Sequence, residues 1–288
     1  MPKYYAGCPV WGRKDWVGML FRRGIRTGDY LHEYAGIFNA VEGNTTFYGV
    51  PSSETINRWR DAVGPDFRFC FKFPRLISHD QRLNDVDRQV GEFLETIAPL
   101  GQLVGPVMLQ LPPSLSGNQM DLLSTFLAKL PGDFRYAVEC RHLDYFEDRP
   151  HAVTLTELLI EFGIDRVILD ARTLHAAPET GEEVRLAKQK KPNLPIPAKR
   201  TGRYPIIRYI GDPEVDSNRE SLGAWAQCFS QWIREGATPF FFAHMPNDHY
   251  APNLVRLFHD LLRHLEPDIE ALPDWPGHVN ESEQLSLF

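Results

Sequence analysis

The stretch Phe134-Arg135-Tyr136-Ala137-Val138-Glu139-Cys140-Arg141-His142 reads as a buried parallel strand that ends in charge. Its middle is apolar and β-prone, as a strand covered on both faces requires. A carboxylate, a guanidinium and an imidazole at the last positions need an opening to face. Side chains alternate along a strand, so Glu139 and Arg141 point the same way and can pair or share a ligand.

Working outward, the chain repeats this design. Lys3–Cys8, Ile37–Glu42, Phe67–Phe73, Val104–Leu111, Arg166–Asp170, Pro205–Ile210 and Thr238–His244 are predicted strands. Helical patterns fall between them: a short one at Asp29–Gly36, a capped one beginning at Ser52, then Val86–Ile97, Gln119–Leu130, Thr154–Phe162, Asn218–Arg234 and Pro252–Leu265. Strand–helix alternation implies right-handed βαβ units and a parallel sheet. Eight units in about 250 residues fit a single-domain (β/α)8 TIM barrel over residues 1–266, followed by a flexible tail at 267–288. A doubly wound open sheet is the alternative, but no GxGxxG follows the first strand. One connection, Ala171–Arg203, is long and basic; from Val184 onward it carries Arg185, Lys188, Lys190, Lys191, Lys199, Arg200 and Arg203 with no acid. It reads as a solvated basic loop, of a length that elsewhere covers active sites.

Bulk properties narrow the function. A net charge of −7 over 288 residues excludes a basic nucleic-acid coat, so a polyanion would have to meet a local patch. Cys8, Cys70, Cys140 and Cys228 are widely spaced without a CxxC pair, which fits reduced core thiols rather than a zinc ribbon or disulfide framework. The first residues lack the apolar core of a signal peptide, and no run reaches membrane-spanning length. A cytoplasmic protein with no membrane partner is expected.

In a barrel, the carboxyl ends of the strands line the active-site face. Those ends supply Glu42, Lys72, Gln110, Glu139 with Arg141 and His142, Asp170, Arg208 and His244. Lys72, Arg141 and Arg208 would form a cationic floor for phosphate or carboxylate. Glu42 and Glu139 are candidates for general acid and base, their pKa values pushed apart by surroundings. Lys72 is the third catalytic candidate, as a base or imine-forming amine. Asp170, Glu139 and Glu42 with His79 or His244 could hold a divalent metal, although no HxH or HExxH spacing supports one. Trp11, Trp16 and Tyr48 could wall the pocket or stack on a sugar or base.

Val41-Glu42-Gly43-Asn44-Thr45-Thr46-Phe47-Tyr48, Phe69-Cys70-Phe71-Lys72, Gly105-Pro106-Val107-Met108-Leu109-Gln110-Leu111-Pro112-Pro113 and Ala137-Val138-Glu139-Cys140-Arg141-His142 together resemble the YecE-like family. The resemblance runs from the first strand to about Leu265. It implies a TIM barrel with a polar pocket at the strand ends and supplies no established reaction. The family's Arg-x-His-Gly at the seventh strand stands here as Arg208-Tyr209-Ile210-Gly211, and its Asn-Asn after the eighth as Pro246-Asn247-Asp248. Asn247 therefore joins the substrate-binding candidates. In outline the fold is similar to barrels that include sugar isomerases and endonuclease IV-type enzymes, an analogy of fold alone.

The last residues, Gln284-Leu285-Ser286-Leu287-Phe288, resemble the pentapeptide by which bacterial replication and repair proteins bind the DNA polymerase sliding clamp. Leu285, Leu287 and Phe288 would be apolar anchors and Gln284 a hydrogen-bonding amide, behind an acidic approach. The reading that joins these features is a hydrolase of a phosphate-bearing or nucleic-acid-derived substrate, recruited to DNA by the clamp. A carbohydrate-active isomerase or hydrolase, and a non-catalytic clamp-associated adaptor, are the alternatives.

Overall fold

The computed structural model describes residues 3–147, 149–197 and 199–278. In chain order the elements are β1 (Tyr5–Gly7), α1 (Tyr30–Ala35), β2 (Ala40–Gly43), α2 (Thr45–Tyr48), α3 (Ser53–Asp61), β3 (Arg68–Phe71), α4 (Asp87–Ile97), β4 (Val107–Gln110), α5 (Met120–Ala128), β5 (Tyr136–Glu139), α6 (Pro150–Glu161), β6 (Asp165–Asp170), α7 (Arg172–Ala176), α8 (Glu182–Lys190), β7 (Ile206–Ile210), α9 (Arg219–Arg234), β8 (Phe240–His244) and α10 (Ala251–Leu265). The fold is α/β. Every ladder among the described residues is parallel, in a six-stranded sheet of order β1-β8-β7-β6-β5-β4 and a β2-β3 pair. Most strands are shorter than their apolar runs, because pairing stops where the chain turns toward the next helix.

Side chains and isolated backbone bonds join the two sheets. Between β3 and β4, Gly105 N donates to Phe69 O at 2.9 Å and Phe73 N to Met108 O at 3.0 Å. Between β1 and β2, Glu42 N donates to Cys8 O at 3.1 Å. Tyr34 Oη there accepts from Cys8 N (2.7 Å) and donates to Ala40 O (2.9 Å), while Asn39 binds Ala6 N and Tyr4 O. These side chains satisfy backbone groups that no ladder pairs. Gly7 permits this approach, since a Cβ there would lie 1.8 Å from Ala40 O.

The alternation sorts the strand residues into two cores. One face gives a small cluster with a member from each of the eight strands: Tyr5, Ala40, Cys70, Met108, Ala137, Val167, Ile206 and Phe240. The other face packs under the helices, as where the Phe241 and Phe258 rings stack with centroids 3.9 Å apart. In α3, the Ser52 side chain caps the helix by accepting from Thr55 N at 3.2 Å. Ser52→Ala is expected to cost about 1 kcal/mol in a urea melt.

Two segments differ from expectation. The connection after β6 is not an open basic loop: it folds into α7 and α8, and α8 buries Val184 and Ala187 under its charged face. The region after 266 does not leave the body at once. Ile269 and Trp275 are buried, and Arg256 lies 4.8 Å from the Trp275 ring centre. Arg256 Nη2 and Arg263 Nε also bind the carbonyls of Pro273 and Ile269. Residues Gln284, Leu285, Leu287 and Phe288 lie outside the described residues. No described helix is long and apolar enough to cross a membrane.

Candidate active site at the carboxyl ends of the strands

One step beyond the inner apolar cluster, the same alternation places Glu42 above Ala40, Lys72 above Cys70, Gln110 above Met108, Glu139 above Ala137, Arg208 above Ile206 and His244 above Phe242. Residues up to 202 positions apart thereby meet. Arg208 Nε and Nη2 donate to the two Glu42 oxygens at 2.8 and 2.7 Å, and Nη1 donates to Glu139 Oε2 at 2.6 Å. Arg141 Nε donates to Glu139 Oε1 at 2.8 Å. Lys72 Nζ lies 3.1 Å from Glu42 Oε1 and 3.2 Å from Gln110 Oε1. His244 Nε2 lies 2.9 Å from Glu42 Oε2. Glu42, Arg208, Glu139, His244 and Lys72 are all buried.

Electrostatics follow from this packing. Burial pushes the Glu42 carboxyl up, but Arg208, Lys72 and His244 outweigh it and hold the group well below the usual carboxylate range. Glu139 is likewise raised by burial and lowered further by Arg208, Arg141 and Lys72, ending well below its ordinary value. The two acids are thus both held ionised rather than pushed apart. Burial and then Arg208 push the Lys72 amine down to about 8, against the pull of Glu42 and Glu139. Burial pushes His244 down to about 4, against Glu42. An ionised Glu42 only accepts, so the neutral His244 donates through Nε2 and keeps Nδ1 as a lone-pair nitrogen. Two carboxylates face three cations, Arg208, Lys72 and Arg141, which leaves one positive charge in excess.

Other selected residues lie elsewhere. Asp170 sits on the opposite parity of β6 and turns away: its oxygens accept from Arg172 Nε and Nη2 and from Trp225 Nε1 at 2.8–2.9 Å. Trp16 is sealed in the core against Phe21 and Tyr34, with Nε1 on His249 O. Trp11 packs edge-on to Trp59 and Phe69. Tyr48 is 82% exposed. His142 accepts from Asp144 N, and Asn247 donates to Glu183 of α8. Among the described residues no three of His, Cys, Asp and Glu gather as they would around an ion. All four cysteines are unpaired, and burial raises each thiol. A cavity of about 500 Å³ opens at the amino ends of β1 and β2, between Tyr4, Asn39, His259 and Ile269, away from the charged cluster.

In the sequence Lys191 reads as one cation of a basic run. At the end of α8, its amine is pushed down to about 7 by burial and then by Arg208 and Lys72. Only the fold of the 171–203 segment brings it there, and no local pattern marks it.

The family model described as "Protein of unknown function DUF72" matches residues 5–277. The chain is 42% identical over 284 residues to the UPF0759 protein YecE of Escherichia coli K12, covering 99% of each. A DUF72 family protein from Thermotoga maritima superposes with a TM-score of 0.69 at 20% identity, covering 90% of this chain and 99% of its own. One from Enterococcus faecalis gives 0.64 at 18% identity, covering 81% and 93%. These two structures are similar in fold.

Proposed function

The chain belongs to the DUF72 family, and on that premise we propose an enzyme that holds a phosphate-bearing substrate at the carboxyl ends of its strands. The observation that carries this reading is Arg141, a cation in excess at the edge of a buried cluster whose two carboxylates and two inner cations, Arg208 and Lys72, already balance. A partly exposed cation beside a low-dielectric cluster attracts an anion from solvent more strongly than a fully hydrated one does. Arg141 is positioned to grip that ligand, because only its Nε is engaged by Glu139 and its two Nη groups make no bond among the described residues. Arg208 gives three of its five N–H donors to carboxylates, so it organises the acids.

Glu42 and Glu139 act as fixed counter-charges that orient Arg208, Lys72 and Arg141. Proton transfer falls to Lys72 and His244, whose amine and imidazole lie near neutrality or below it. Hydrolysis of a phosphate ester is the reaction class that fits: cations stabilise charge on the phosphoryl oxygens while Lys72 or His244 moves the proton. We further propose that the eight strands close into a (β/α)8 barrel, a reading supported by the bonds across both seams and by the cluster drawn from every strand. Recruitment to the sliding clamp, and with it work on DNA, rests on Gln284–Phe288 alone. The sugar-stacking alternative has less support, because Trp16 is sealed.

Calorimetry with inorganic phosphate tests the anion reading. Arg141→Met should weaken binding by roughly 10-fold, the loss of a charged hydrogen-bonding partner. Equal affinity in both proteins would remove the site. Turnover of phosphomonoesters, with and without added divalent cations, then tests the reaction class.

A further inference from the structure

The members of the strand-end cluster are not equally buried. Glu42, Glu139, Arg208 and His244 are sealed and Lys72 nearly so, while Gln110 and Arg141 are partly exposed. A ligand arriving from solvent therefore meets Gln110 and Arg141 first. These two stand on neighbouring strands. Gln110 of β4 is in register with Glu139 of β5, and Leu111 N donates to Glu139 O at 2.9 Å. Arg141 is tied to the same Glu139 through Nε at 2.8 Å. Lys72 reaches Gln110 from β3, with Nζ 3.2 Å from Oε1. Strands lie about 4.8 Å apart, so the three side chains span roughly 10 Å. The direction of the Gln110 amide follows from Lys72. An ammonium can only donate, so Oε1 faces it and Nε2 is turned away. Nε2 makes no hydrogen bond among the described residues. Lys72 has three N–H groups for two partners, Gln110 Oε1 and Glu42 Oε1, which leaves a donor over. Arg141 adds its two Nη groups. The groups left open by these three side chains are thus all donors. The Glu139 oxygens are each taken by a guanidinium. The lone-pair nitrogen of the cluster, His244 Nδ1, belongs to a buried ring on β8, four strands from β4 in the sheet.

We propose that Gln110 sets the specificity of this side, making it a donor-only face that grips a tetrahedral oxyanion by oxygens that carry no proton. This rests on the anion-binding reading above and deepens it. A hydroxyl on a gripped oxygen would set its proton against Gln110 or Arg141 with no acceptor to receive it, and a donor left unmet out of water is costly. A face without acceptors has no means of telling sulfur from phosphorus, since both present bare oxygens at the same corners. The substrate class therefore widens to sulfate esters beside phosphate esters, and leaves out groups that must be bound protonated.

Calorimetry on the full chain at pH 7.5, with inorganic sulfate and inorganic phosphate as probes, tests this. Both are then mainly dianions and only the phosphate bears a hydroxyl, so the comparison holds charge constant. The wild type should bind sulfate within about 3-fold of phosphate, or more tightly. Gln110→Glu puts an acceptor on the face. It should receive the phosphate hydroxyl and repel sulfate, shifting the ratio roughly 10-fold or more toward phosphate. Gln110→Met removes the donors without adding an acceptor, and should weaken both anions roughly 5-fold at an unchanged ratio. Circular dichroism checks that each variant folds, and either variant alone keeps the test open. A glutamine that served only to hold Lys72 would leave the sulfate-to-phosphate ratio untouched in Gln110→Glu, which overturns this inference and leaves the anion reading standing. A wild type that prefers phosphate by about 10-fold or more does the same, as does unchanged sulfate affinity in Gln110→Met. Absence of binding by either anion removes both.

Discussion

Glu42→Ala should lower the unfolding free energy by about 3–5 kcal/mol, the usual result of removing one member of a buried charge cluster. For a chain of this size that is a fall in melting temperature of roughly 10 °C. Glu42 has no exposed surface and holds three groups at once, Arg208 through both oxygens, Lys72 and His244. Alanine leaves Arg208 with Glu139 as its acidic partner and Lys72 with Gln110 as its nearest polar contact. The added Arg208→Met change should recover part of the loss, because it withdraws a cation that the first change stranded. Chemical denaturation of the two single variants and the double variant measures the coupling. A cost below about 1 kcal/mol for Glu42→Ala would mean the cluster is hydrated like surface pairs, and the surplus-charge argument would lose its footing.

Acid should destabilise the protein in two stages. His244 titrates near 4 when folded and near 6.5 when unfolded. Between those values the unfolded chain binds more protons, so the stability present above pH 6.5 is lost as pH falls toward 4. The shift corresponds to about 3 kcal/mol. Glu42 and Glu139, both lowered on folding, extend the loss below about pH 4.5 as each protonates. His79 and His259 are also held low by burial and add to the first stage. The difference between wild type and His244→Gln isolates the His244 share, since glutamine keeps an amide donor toward Glu42. Denaturation free energies measured from pH 4 to 7 should be flatter in the variant. Parallel curves would show that His244 binds its proton equally well folded and unfolded, and so is not held low by the cluster.

Much of the site was readable because alternation is a strict rule. Glu42, Lys72, Gln110, Glu139, Arg208 and His244 all lie two residues past an inward apolar residue, and the fold brings all six together. The same rule, carried one strand further, would have excluded Asp170. Val167 holds the inward parity of β6, which leaves Asp170, three positions on, facing Trp225 of α9. Composition misled at the aromatics, since a Trp in a Gly-Pro loop looks available while Trp16 fills the core. It misled again at 171–203, where lysines and arginines hid the buried stripe of Val184 and Ala187. The direction of the glutamate pKa values was out of reach, because it depends on Arg208 lying between the two acids.

The stretch from Ile269 to His278 has a consequence for reach. Because Trp275 is seated on Arg256 and Gly277 abuts the backbone of Met19, the chain is anchored to the body within a few residues of its last described position. Ten residues remain from Val279 to Phe288. However they are arranged, their contour cannot exceed about 36 Å. Any partner that grips Leu285, Leu287 and Phe288 must therefore keep the whole body on a short leash, close enough for steric exclusion between the two molecules to restrict which way the strand ends face.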